Sequence, residues 1–263
     1  MIKKELKSNF KSFLIWLLIL VMMFLLVFSI YPFIITDETI GQMDELLKVF
    51  PKEILKAFNM DMASIETAYG WFKTEGFMFV LLIIGFYSSY LGGTIVLKEE
   101  NDKTIEYLAF LPIKRKRIML NKVIVGLIYI VSIVLLLGLF NFIALLITGD
   151  FNKKEFILLS MSPLLIALPL FSINLFISMF LHKTKKVVGI SLGLVFMFYL
   201  LNVLSEISSK VEFLKYLSIY TLADTRGVIT NTTINFWCIL ISILLSISLI
   251  ISSFIVYDKK ELI

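Results

Sequence analysis

Residues 98–122, KEENDKTIEYLAFLPIKRKRIMLNK, hold the longest run of groups that could bind or do chemistry, with seven basic and four acidic side chains between two long apolar runs. The chemistry open to them is narrow. The chain has one histidine, His182, and one cysteine, Cys238, so His-rich metal centres, thiolate sites and disulfide frameworks are excluded. No G-x-x-x-x-G-K-[ST] loop occurs, and every polar block is too short for a nucleotide-binding domain. No catalytic residue and no metal ligand is therefore assigned. The charges must serve contacts.

Within this stretch Asp102 can cap a helix with Ile105, Leu108 and Ala109 on its apolar side and Leu111 extending it. Pro112 ends the helix, because proline disfavours helical geometry in the residue before it. Lys114, Arg115, Lys116 and Arg117 then open a second helix. Ile105, Tyr107, Leu108 and Phe110 need something to bury against, which a solvated, disordered loop does not offer. The plainer alternative is a charged loop that only enforces topology. Nucleic acid is a weak candidate, since a juxtamembrane basic run is expected to meet phospholipid.

The elements that must hold this stretch are membrane helices. The 263 residues are 59 % hydrophobic and only 17 % charged, against about 25 % in soluble domains, with a mean hydropathy of +0.94. Six segments have the roughly 20 apolar residues that a span needs: 13–35, 76–97, 123–148, 156–181, 187–204 and 234–257. They belong to a single transmembrane domain, 1–263. The first is too long for a signal-peptide core and lacks a small-residue cleavage site, so it reads as an anchor. Sixteen of the 25 Lys and Arg residues fall on one side and nine on the other, while the acids divide seven against thirteen. The basic side, with both termini and residues 98–122, is expected in the cytoplasm. Abundant Lys, Ile and Asn with scarce alanine are associated with an AT-rich bacterial genome, hence a bacterial plasma membrane.

At the amino terminus, residues 1–12, Ile2, Leu6, Phe10 and Phe13 share a face ringed by Lys3, Lys4, Lys7 and Lys11. This reads as an amphipathic interfacial helix drawn to anionic headgroups, as do Lys114 and Arg117. The outer segment 36–75 carries Met43, Leu46, Leu47 and Phe50, then Ile54, Leu55 and Phe58, at the spacing of short amphipathic helices. Residues 205–233 are apolar enough for a re-entrant helix pair, a surface loop being the blander alternative. Gly85, Ser89 and Gly93, with Gly189 and Gly193, let helix backbones approach, either between protomers around a path or within one protomer. Tyr87, Asn174 and Asn202 are polar groups at or near membrane depth and candidates for a substrate path. Pro163 and Pro169 should bend the fourth span, freeing backbone groups that neighbours must satisfy. The spans are otherwise so apolar that a cavity between them suits a hydrophobic or amphipathic cargo.

The pattern of Glu99 or Glu100, Thr104, Ile105, Glu106, Leu108, Pro112, Ile113, Lys114, Arg115, Ile118 and Lys122 resembles the segment after the second span of ABC-2 type permeases, the membrane subunits of one class of ABC exporters. One departure is Lys103, where the family usually has glycine before the threonine. Residues 50–60 and 214–224 also resemble the family, the second more weakly because Ile219 replaces a frequent proline.

The resemblance implies an all-α type V exporter fold with six helices and both termini cytoplasmic. It implies a pair of permeases, identical or paralogous, and a cytoplasmic ABC ATPase that binds the ATP and Mg. The segment after the second span would be a coupling helix, with Ile105, Leu108 and Phe110 as its docking face and Glu99, Glu100 and Glu106 facing basic residues of the ATPase. The finer resemblance is to permeases of bacteriocin immunity and phenol-soluble modulin export. Two other classes fit these residues less well. A CAAX-type intramembrane protease needs facing histidines and glutamates at membrane depth, which lone His182 does not supply. A membrane anchor or sensor would not need a structured 98–122 segment.

Overall fold

The computed structural model describes residues 2–34, 49, 67–101, 114–149, 151–207 and 209–259. Six helices are long and apolar enough to cross a membrane. They are α1 (Ile2–Ile34), α2 (Phe77–Thr94), α3 (Arg115–Thr148), α4 (Lys153–Ser178), α5 (Thr184–Ile207) and α6 (Phe236–Lys259). No strand occurs among the described residues. Hydropathy located these spans but not their polar extensions, because the backbone ladder continues after the apolar residues stop. At 33 and 34 residues, α1 and α3 are ~50 Å long against a hydrocarbon core of ~30 Å. Residues 2–12 are thus one unbroken helix with the first span.

The centre of the bundle is α2 and α4, which pack on each other. In α2, 67 % of the most apolar window is buried, against 17 % in α5 and α6. A side chain at Gly92 would run into the backbone carbonyl of Phe171, so only glycine permits this approach of α2 to α4. Around the centre, α1 lies on α3, α5 on α2, and α6 on α4. The outward faces of α5 and α6, with Phe196, Leu200, Leu244 and Ile251, are apolar and exposed, which suits lipid or a second subunit.

Helix α4 is interrupted at Ser162, between Lys153–Met161 and Pro163–Ser178. Pro163 starts the second piece, where its missing N–H costs nothing. Pro169 lies inside the helix and cannot donate to the Leu165 carbonyl one turn back. The Ser242 hydroxyl of α6 donates to that carbonyl, at 2.8 Å. The neighbour required by the proline is therefore a buried serine on the helix packed alongside. Ser242→Ala should lower stability by about 1 kcal/mol, read as a lower melting temperature in detergent, while Ser248→Ala on the exposed face should not.

Helix α2 is entered through a turn, Ala68–Trp71, capped by Thr67, and a π-helical turn, Phe72–Gly76. Between α5 and α6 the chain forms short turns, Ser209–Tyr216 and Ile219–Ala223, then Thr225–Asn231. Tyr220 and Ala223 are buried, and their turn touches α4, α5 and α6. Asp224 takes a left-handed conformation, φ 47°, and its carboxylate accepts from the Asn235 N–H at 2.7 Å, joining this segment to the start of α6.

Candidate functional site

The residues at each end of the 98–122 stretch are described; those between, 102–113, are not. Thr104, Ile105, Glu106, Leu108, Phe110 and Pro112 lie outside the described residues, as do 35–48 and 50–66 of the outer segment.

The described ends converge on one buried cluster. Lys122, seven residues past the start of α3, has a side chain only 1 % exposed. Its ammonium lies 3.1 Å from Glu5 Oε1 of α1 and 2.5 Å from Glu99 Oε1, and donates to the Ile95 carbonyl at 2.8 Å. A buried ammonium needs its three donors satisfied, and these three acceptors do so. Ile95 follows the last turn of α2, whose carbonyls have no partner in their own helix. One lysine thus joins α1, α2 and α3.

The second carboxylate leaves the cluster with a formal excess of one negative charge. Burial pushes the Glu99 carboxyl above its ordinary range, Lys122 pulls it down, and Glu5 adds to the rise. Further contacts fix α1 here. Asn9 Nδ2 donates to the Glu5 carbonyl at 3.0 Å, and the Tyr129 hydroxyl donates to the Leu6 carbonyl at 2.5 Å. Phe13 stacks beside Tyr129 with ring centroids 5.0 Å apart.

The lead-in residues each reach a different element. Lys98 donates to the Ser8 carbonyl of α1 at 2.7 Å. Glu99 meets Lys122 of α3. Glu100, 3 % exposed, faces His182 Nδ1 at 3.3 Å in the turn between α4 and α5. At the far end, Arg115 donates to the Asp258 carbonyl of α6 at 3.4 Å, and Lys116 lies 3.7 Å from the Asp258 carboxylate. The feet of the segment therefore touch α1, α2, α3 and α6 and the α4–α5 turn. His182 is exposed, as a surface contact and not a buried ligand.

The remaining sequence candidates distribute as follows. Lys3, Lys4, Lys7, Lys11, Lys114 and Arg117 are exposed. Of the α1 face read in the sequence, Phe13 is buried and Ile2 and Leu6 pack against the core, while Phe10 is exposed; Glu5 and Asn9 are buried beside them. Gly85 abuts the Tyr220 ring, and Gly93 abuts Val187 and Ser191 of α5, so both pack within the protomer. Tyr87 and Ser89 are buried. Asn174 is buried, with its amide donating to the Leu170 carbonyl of its own helix. Nothing lies within 4 Å of a side chain placed at Gly189 or Gly193, so that face of α5 is open. Asn202 Oδ1 lies 3.1 Å from the Thr221 hydroxyl and shares its single proton with the Lys215 carbonyl at 2.8 Å. The structure does not bring these eight together into one site.

Glu5 was missed in the sequence. Its signal was one acid among four lysines on the amino-terminal helix, matched by one lysine, Lys122, in the apolar entry to the third span.

A family model described as ABC-2 family transporter protein matches residues 1–262. The chain belongs to this family. No curated protein and no solved structure matches it significantly. Membership and the six apolar helices make it a multi-pass membrane protein and the permease of an ABC transporter, which works with a separate ATPase subunit. In this permease, the Lys122 cluster holds the two ends of the segment whose pattern resembles the family's coupling region.

Proposed function

We propose that this permease exports a hydrophobic or amphipathic molecule, such as a peptide, toxin or lipid-like compound, from the cytoplasm or inner leaflet, driven by a cytoplasmic ABC ATPase that binds ATP and Mg. Residues 98–122 receive the stroke of that ATPase. The observation that carries this reading is the anchoring of the segment: three consecutive residues, Lys98, Glu99 and Glu100, bind three different parts of the bundle. A push on a loop with free ends moves only the loop. A push on a segment whose feet touch α1, α2, α3 and α6 is delivered to the spans.

Export requires a second permease, a copy or a paralogue, and the open α5 face bearing Gly189 and Gly193 is the surface offered to it. The type V exporter arrangement, cytoplasmic termini and a bacterial plasma membrane complete the proposal. The short turns at 209–231, with Tyr220 and Ala223 buried, would enter the outer leaflet as a re-entrant pair, and residues 2–12 would lie with their lysines toward anionic headgroups. Co-expression with any ABC ATPase encoded beside it tests the reading. The expected result is co-purification and an ATPase rate that changes when the permease is present. No association with a neighbouring ATPase subunit would sink it.

A further inference from the structure

At the end of the bundle remote from Lys122, a partly enclosed cavity of about 50 Å3 lies between the start of α2, the end of α5 and the turns at 219–225. Its polar wall includes Lys73, Asn202 and Glu206, and its apolar wall Phe77, Leu81 and Tyr199. Lys73 belongs to the π-helical turn Phe72–Gly76, a geometry that recurs at functional sites.

Each polar group has unused capacity. The Lys73 ammonium has three donors and uses one on Glu155, at 3.2 Å. Glu206 receives Arg226 on Oε2 at 2.5 Å, which leaves Oε1 without a partner among the described residues. Asn202 uses its amide oxygen on Thr221, which leaves its NH2 group likewise. The cavity therefore offers one anionic acceptor beside one cationic donor and neutral donors that include the Asn202 amide and the Tyr220 hydroxyl, which is buried without a partner among the described residues. With Glu155 and Arg226 behind them, the charges of Lys73 and Glu206 sum to zero. A ligand with net charge would go uncompensated here, whereas a zwitterion is matched at both ends.

Depth and size narrow the choice further. Phe77 begins one span and Glu206 lies one residue from the end of another, the level at which headgroups sit. The volume holds about four waters, enough for an aminoethyl group but not for a peptide. A primary ammonium can donate to the Glu206 carboxylate, while a trimethylammonium is bulkier and has no N–H to give.

We propose that this cavity binds the headgroup of a zwitterionic phospholipid carrying a primary ammonium, with the ammonium on Glu206 and the phosphate on Lys73 and Asn202. The inference rests on the chain spanning a bilayer and not on export, so the test reads lipid retention and stands apart from the ATPase experiment.

The full chain in detergent is incubated with equimolar ethanolamine-, choline- and glycerol-headed phospholipids of identical acyl chains, and the retained lipid is read by native mass spectrometry. The ethanolamine-headed lipid is expected in about tenfold excess over the choline-headed one, the worth of one charge-assisted hydrogen bond. Glu206→Gln should reduce that excess severalfold, and Asn202→Val, which loses a donor to the phosphate common to all three heads, should lower retention of the ethanolamine-headed lipid severalfold, while Lys116→Gln at the other end should leave both unchanged. Asn202→Val keeps the fold testable if Glu206→Gln does not fold, because the Thr221 hydroxyl retains the Lys215 carbonyl at 2.8 Å. Equal retention of the three headgroups, preference for the anionic glycerol head, an excess that survives Glu206→Gln, or retention that Asn202→Val leaves unchanged overturns the proposal.

Discussion

Lys122→Met is expected to destabilise the folded permease by about 3–5 kcal/mol. The side chain it removes is 1 % exposed and is the cation for two carboxylates. Methionine fills the volume but leaves Glu5 and Glu99 buried without a counter-charge, and an uncompensated buried charge, not the lost pair, sets the cost. Melting in detergent measures the loss directly. The double substitution Lys122→Met with Glu99→Gln should recover part of it.

Glu99→Gln alone should be mild, about 1 kcal/mol, because Lys122 keeps Glu5 and glutamine resembles the protonated acid. The sign with pH follows from the raised Glu99 carboxyl. A folded pKa above the unfolded one means the fold holds this proton more tightly. That contribution is complete below the ordinary value of 4.5 and is lost as pH rises through the raised one. The melting temperature should therefore fall over this window, and less so in Glu99→Gln. A single Lys122→Met variant that melts with the parent would remove the cluster from the list of structural determinants.

The second large effect is expected at the ATPase. Replacing Ile105 and Leu108 with glutamate puts charge on the face proposed to dock, where central apolar anchors are typically worth 2 kcal/mol or more each, a loss of at least ~30-fold in affinity per residue. Membrane insertion and melting should stay at parental levels, while co-purification and the change in ATPase rate disappear. The contrast with Lys122→Met is diagnostic. One variant should damage the permease and the other only its partnership.

The six spans were legible because twenty consecutive apolar residues have few uses outside a bilayer. The serine that Pro169 requires was legible only as a need: the proline announces a freed carbonyl, but which helix answers depends on packing. Ser242 lies 77 positions away from the Leu165 carbonyl it serves. The Lys122 cluster was hidden for the same reason, with Glu5 on a helix read as a membrane-surface element. Ile2, Leu6 and Phe13 of that helix's apolar face do pack inward, but hydropathy gives no sign that Glu5 and Asn9 are buried beside them and Phe10 is not. A buried acid is favourable there only because Lys122 arrives from another helix, and no local pattern carries that information. The cavity at the opposite end was invisible for a related reason. Asn202 stood out as a polar residue at or near membrane depth, but Lys73 and Glu206 join it only through the fold.

The contact between Glu99 and Lys122 also bears on how tightly a partner can be held. It turns the 22 residues between them into a closed loop. Bringing the ends of a free chain of that length together costs about 3 kcal/mol from the length dependence alone. The permease has already lost that disorder when it folds. If the ATPase docks on this segment as proposed, it would meet a loop with fixed ends, and less of the contact energy would go into ordering.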